Sequence, residues 1–125
     1  MPSGLMILFL FAGALFAAVH YVAVLASLYW FFWWFDIMMH FWGGLLIGLG
    51  VHALARYSWW PFRPTWIVMI LVLAVITGVW EVFEFGVGLY NPATHFMDTL
   101  QDVMIGFSGG LLSHFLLKTY TMRKL

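Results

Sequence analysis

The sequence predicts an all-α integral membrane protein, a four-transmembrane-helix bundle with the pattern of a duplicated two-helix hairpin. Three observations carry this. Of 125 residues, 65% are hydrophobic and only 8% are charged, far outside the range of soluble proteins. Four apolar stretches each reach about 20 residues, the length that crosses a bilayer core. All five basic residues (Arg56, Arg63, Lys118, Arg123, Lys124) fall at one end of these stretches, and all five acidic residues (Asp36, Glu81, Glu84, Asp98, Asp102) at the other.

The first span covers about residues 5–29. No Lys or Arg precedes it and the apolar run continues to Phe35. It is therefore expected to be a retained span, because a secretory signal needs a basic start, a short apolar core and a small-residue cleavage site. No lipidation motif is visible. An aromatic corner, residues 30–35, leads into the second span, about 36–56. Residues 57–64 carry Pro61 and Pro64 and connect to the third span, about 65–85. Residues 86–97 hold Gly86, Gly88 and an Asn91-Pro92 turn signal before the fourth span, about 98–118. The expected domain is single and transmembrane, residues 1–125.

Orientation follows from the basic residues. Arg56 and Arg63 place the middle connection in the cytoplasm, and Lys118, Arg123 and Lys124 place the C-terminus there too. Four spans then put both termini on the cytoplasmic side and the acids in the extracytoplasmic half. Trp30, Trp33 and Trp34 read as one aromatic belt, and Tyr57, Trp59, Trp60 and Trp66 as the other. Zero net charge without a basic run argues against nucleic acid as a partner. The absence of cysteine excludes disulfides, thiolate metal sites and cysteine nucleophiles. The expected partners are the lipid bilayer and a second copy or another membrane protein.

Helical residues four apart share a face. Asp36, His40, Gly44 and Gly48 recur at fourfold spacing in the second span, and Asp98, Asp102, Gly106 and Gly110 in the fourth. The offset is a constant 62 residues, the mark of a parallel duplication that some membrane proteins use. Spans one and three share only composition, with His20 near the position corresponding to Glu81. The third span places Thr77, Glu81 and Glu84 on one face. G-x-x-x-G pairs let helix backbones approach closely in lipid, so spans two and four are expected to pack on their acidic faces. That packing would bring His40 near Asp102, with Glu81 and Glu84 approaching both.

Ionisable groups in hydrocarbon cost about 2.5–3.5 kcal/mol each on insertion scales, so such a cluster is a functional-site hypothesis. Asp36 and Asp98 can also be read as helix N-caps, Asp98 with Gln101 as part of a capping box. Asp102, Glu81, Glu84 and His40 lie at least a turn inside and cannot. For these, three readings stand side by side. One is an interhelical hydrogen-bond network that sets packing. Another is a site for a divalent cation (Mg, Mn, Fe or Zn) formed by Asp36, His40, Glu81, Glu84, Asp98 and Asp102, since carboxylate and imidazole suit these metals. The third is an ion or proton conduit, against which the almost wholly apolar other halves of the spans count. His95 can join the cluster or face water, and His20 is peripheral. His52 and His114, near the basic end, are expected at the interface.

At these residues the chain resembles the YjdF-like group of small bacterial inner-membrane proteins. Its pattern is Asp-x-x-x-His-x-x-x-Gly, Trp-Glu-x-x-Glu and Asp-x-x-x-Asp before a glycine-rich helix. Here these are Asp36, His40 and Gly44; Trp80, Glu81 and Glu84; and Asp98 and Asp102 before Gly106, Gly109 and Gly110. The likeness covers about residues 30–118 and implies a location in the cytoplasmic membrane. More distantly the chain is similar to VanZ-like membrane proteins, which are associated with glycopeptide-antibiotic tolerance. It lacks their Gln after the Glu and their Asn after the last Asp. The functional expectation is a small membrane protein whose cluster binds a divalent cation and acts on a lipid-linked or envelope substrate. In such an enzyme the cation would polarise an oxygen or activate water, with a spare carboxylate as base. The alternative is an accessory subunit whose polar network sets packing.

Overall fold

Polar side chains and helix breaks, more than apolar composition, decide where each helix of so apolar a chain begins and ends. The computed structural model describes residues 4–57, 62–86 and 95–124, the side chains of residues 57, 95 and 120–124 excepted. The described residues form α1 (Gly4–Leu25), a one-turn α2 (Leu28–Phe31), α3 (Trp33–Tyr57), α4 (Trp66–Gly86) and α5 (His95–Lys124). Segments Gly4–Leu25, Trp33–Arg56, Trp66–Gly86 and Phe96–Thr119 are each long and apolar enough to cross a membrane. The molecule is all-helical and multi-pass.

Helix α1 stops before the apolar run does. Ser27 takes φ 57° and ψ 36°, a left-handed conformation that costs an L-residue about 1–2 kcal/mol and breaks the helix. The turn of α2 then ends with the Phe32 N–H donating to the Leu28 carbonyl at 3.0 Å. Because α3 starts at Trp33, Asp36 lies in its first turn and is not the N-cap. Asp98 likewise lies in the first turn of α5. Both charges still sit at the positive end of a helix dipole. Thr65 caps α4: its Oγ1 accepts the Val68 N–H at 3.2 Å. Trp59 and Trp60, Gly88, the Asn91-Pro92 turn and the side chains of His95, Arg123 and Lys124 lie outside the described residues.

The 62-residue offset extends to the packing of the elements. Helix α1 packs on α3 as α4 packs on α5, and the most extensive helix contact joins α3 to α5. A Cβ added at Gly44 would collide with the Gly106 carbonyl oxygen, one at Gly48 with Ser113 Oγ, and one at Gly109 with the Phe41 carbonyl oxygen. These two helices thus run parallel and in register, backbone against backbone, as close packing in lipid favours. Apolar clusters brace the two ends. Ala23, Phe35 and Met39 form one with Phe16 and Trp42, and Val51, Met69 and Leu73 form the other with Ile47 and Phe107. Large apolar side chains such as Ile7, Phe11, Leu71, Val79 and Phe115 remain exposed along the spans, a surface that suits lipid and not water.

Candidate functional site at the acidic end of the helix seam

The first turns of α3 and α5 and the last turns of α4 converge. His40 points from α3 across the seam, with its side chain only 16% exposed. Its Nε2 lies 3.3 Å from Asp36 Oδ1, one turn back on the same helix, and 3.4 Å from Asp102 Oδ2 on α5. Asp102 is buried at 8% relative exposure. Helix α4 brings Glu81 and Glu84 from the other side, both half-buried.

Two sets of three potential ligand atoms result. Asp36, His40 and Asp102 form one; Glu81, Glu84 and Asp102 form the other. Within each set the atoms all lie within 4.8 Å of one another. Asp102 belongs to both. Asp98 belongs to neither and is exposed. His20 also stands apart, its Nδ1 2.8 Å from the hydroxyl of Tyr29. Thr77 shares the helix face of Glu81 and Glu84, but its hydroxyl donates to the Leu73 carbonyl of its own helix at 2.6 Å.

Two donors outside the cluster aim the glutamates. The Trp80 indole N–H donates to Glu84 Oε1 at 2.7 Å, and the Thr99 hydroxyl donates to Glu81 Oε2 at 3.2 Å. Outer donors of this kind fix the orientation of ligating carboxylates. Sequence reasoning gave Trp80 and Thr99 no role of their own, although Trp80 and Glu84 stand one helical turn apart and share a face.

Electrostatics set what the cluster can do. Four carboxylates and one imidazole share a small volume at the end of an apolar bundle. Like charges this close cannot all persist without a proton or cation between them. The cluster therefore holds more negative charge than its own side chains can offset unless protons or cations are taken up.

At the basic end of the same seam, His52 and His114 are turned toward each other within the bundle. They are buried at 8% and 0% exposure and hydrogen-bond to each other, Nε2 to Nδ1, at 2.9 Å. The Trp66 ring packs edge-to-face on His114 with centroids 4.4 Å apart. His114 Nε2 is the buried side-chain atom left without a hydrogen-bond partner among the described residues. The signal was available: 52 and 114 differ by the same 62 and continue the fourfold stripes of Gly44/Gly48 and Gly106/Gly110.

The fold and the cluster together define a multi-pass helical membrane protein with a buried histidine–carboxylate centre. The chain belongs to the family described as predicted membrane protein (DUF2238), whose profile matches residues 2–123. No curated protein and no solved structure matches it.

Proposed function

We propose that the acidic-end cluster is a divalent-cation site. The protein around it is a small member of the bacterial cytoplasmic membrane, similar to the YjdF-like group, with both termini cytoplasmic and the site in the extracytoplasmic half. The observation that carries the cation reading is the position of His40 Nε2, 3.3 and 3.4 Å from carboxylate oxygens on two helices. One imidazole N–H cannot serve both oxygens well, and both distances exceed the usual N–H···O range of about 2.7–3.2 Å. They match the ligand–ligand edge of about 3.3–3.4 Å in a tetrahedron with metal bonds of about 2.0–2.1 Å. The donors are carboxylate and imidazole, hard and borderline ligands suited to Mg, Mn, Fe or Zn.

A bound cation there supplies Lewis acidity toward an oxygen-bearing substrate. The chain's own residues hold and orient it: Asp36, His40 and Asp102 on one side, Glu81 and Glu84 on the other. Asp98, exposed in the first turn of α5, stands where it can receive a proton or contact an arriving headgroup. A substrate that reaches the site from the bilayer surface is lipid-linked or belongs to the envelope.

The competing reading, a network that only sets packing, draws support from the His52–His114 pair, which joins the same two helices without any carboxylate. A proton conduit draws less, because the glycine turns between the two polar pairs leave no room for a methyl group. Thermal unfolding of the detergent-solubilised protein separates the first two. A cation that binds the folded state adds about 2.7 kcal/mol at a hundredfold excess over Kd. Melting should shift upward with Mn, Mg or Zn and downward with a chelator, and Asp102→Asn should abolish the shift. Melting indifferent to metal, together with a stabilised Asp102→Asn variant relieved of carboxylate repulsion, sinks the cation reading.

A further inference from the structure

We infer that the site takes two divalent cations, bridged by Asp102. The inference rests on the cation reading above and goes beyond it in number and arrangement.

Three observations lead there. First, the ligand atoms form two sets, one between α3 and α5 and one between α4 and α5, and Asp102 is common to both. A carboxylate has two oxygens and can serve two cations about 3.5–4 Å apart, the separation of two-metal sites. Second, each set brings two side chains of its own from one helix at one-turn spacing: Asp36 and His40 from α3, Glu81 and Glu84 from α4. His40 sits between Asp36 and Asp102 at nearly equal distances. Its imidazole is a neutral ligand that gives the first set a character the second lacks. The α4 carboxylates are held independently, by the Trp80 indole and the Thr99 hydroxyl, and neither donor reaches across to the first set.

The third observation is charge. Asp36, Glu81, Glu84 and Asp102 carry four negative charges when ionised. Unless protons are taken up, one divalent cation leaves two of these uncompensated in a half-buried intramembrane position, where an unpaired charge costs several kcal/mol. Two divalent cations neutralise the set, with His40 neutral. The first set, containing nitrogen, favours Zn or Fe, and the all-oxygen set favours Mg or Mn. Manganese is tolerated by both, which makes it the probe.

The test uses the full-length protein in detergent. Protein freed of metal by chelation is equilibrated with Mn, and bound Mn is counted by elemental analysis and examined by electron paramagnetic resonance. The expected result is two Mn per chain, with a low-temperature spectrum showing the exchange coupling of a bridged pair. Glu81→Gln with Glu84→Gln should reduce the count to one and restore the six-line spectrum of isolated Mn. Asp102→Asn should remove the coupling. The unsubstituted protein alone decides the matter if a variant does not fold. One Mn per chain with an isolated-ion spectrum overturns the two-cation inference and leaves the single-cation reading standing. Two Mn without coupling overturn the Asp102 bridge. No bound Mn overturns both.

Discussion

Helices α3 and α5 carry a polar pair at each end of their glycine seam, and the two pairs differ in what they leave unsatisfied. At the basic end His52 and His114 meet at 2.9 Å. Two neutral imidazoles need one proton between them, and no carboxylate belongs to the pair. At the acidic end His40 meets Asp102 at 3.4 Å, and Asp36, Glu81 and Glu84 crowd around. Both pairs occupy the same register, 62 residues apart, in the same two helices. The difference teaches that burial of a polar group in a membrane protein is by itself a statement about packing. An excess of like charge over what the neighbouring side chains can neutralise is a statement about a ligand. The basic-end pair lacks only a partner for His114 Nε2. The acidic-end pair is complete only with protons or cations supplied from outside.

Breaking the seam should break both pairs together, and with the largest effect. Leucine at Gly44 must displace the Gly106 backbone, which no side-chain rotation can relieve. Gly44→Leu is expected to destabilise by about 3 kcal/mol or more, the upper range for overpacking, and to remove the cation-dependent melting shift. A folded, cation-responsive Gly44→Leu protein in thermal unfolding would show that the seam does not hold the ends.

The next test separates the ends. His52→Leu leaves His114 buried without its partner, a cost of about 1–3 kcal/mol. Adding His114→Leu removes the orphaned imidazole, so the double variant should melt higher than the sum of the two single losses predicts. None of these three proteins should lose its response to Mn or Zn, whereas His40→Leu should weaken it. Loss of the metal response in His52→Leu would mean that the two ends act as one unit.

Trp80→Phe sharpens the acidic end alone. It keeps the ring packed on Phe83, which lies 5.5 Å away between centroids, and removes the donor to Glu84. Outer partners of metal ligands contribute about tenfold or more to affinity, about 1.4 kcal/mol. Titration of metal-free protein with Mn should show that loss, with melting in chelator nearly unchanged. An unaltered affinity would take Glu84 out of the site.

Much of this was legible in the sequence, and the reason is the medium. In lipid the backbone must satisfy itself, so length and apolarity alone locate four helices. Charged residues are so costly there that Asp36, His40, Glu81, Glu84 and Asp102 announce themselves, and fourfold spacing puts them on facing surfaces. Three things were hidden. The end of α1 depends on the backbone torsion of Ser27, which composition cannot report. Which side chains of α3 and α5 meet inside the bundle depends on tertiary packing, so spacing alone did not show that His52 and His114 pair, with Trp66 of α4 packed on His114. The division of labour between Asp98 and Asp102 also escaped. Four residues on a helix turn the chain by a full circle and about 40° more, and only that small extra rotation, with the position of α4, leaves Asp98 exposed and Asp102 enclosed.

The smallest expected effect comes from a glycine of the other kind. Gly78 in α4 has nothing within 4 Å of the Cβ it lacks, and the surrounding face of Val75, Val79 and Val82 is exposed. If that face meets only lipid, Gly78→Ala has no clash to cause and removes the conformational freedom that glycine brings to a helix interior. The expected gain is about 0.5–1 kcal/mol, read as a slightly higher melting temperature in detergent with the same cation response. The same substitution at Gly44 would meet the Gly106 carbonyl at once. The pair therefore measures what the seam contributes beyond helix propensity, since the chemical change is identical and only the neighbour differs. Should Gly78→Ala instead destabilise the protein, the face must be pressed against another helix, as close contact through glycine requires. The partner would then be a second copy of the chain or another membrane protein, and α4 would have a seam of its own.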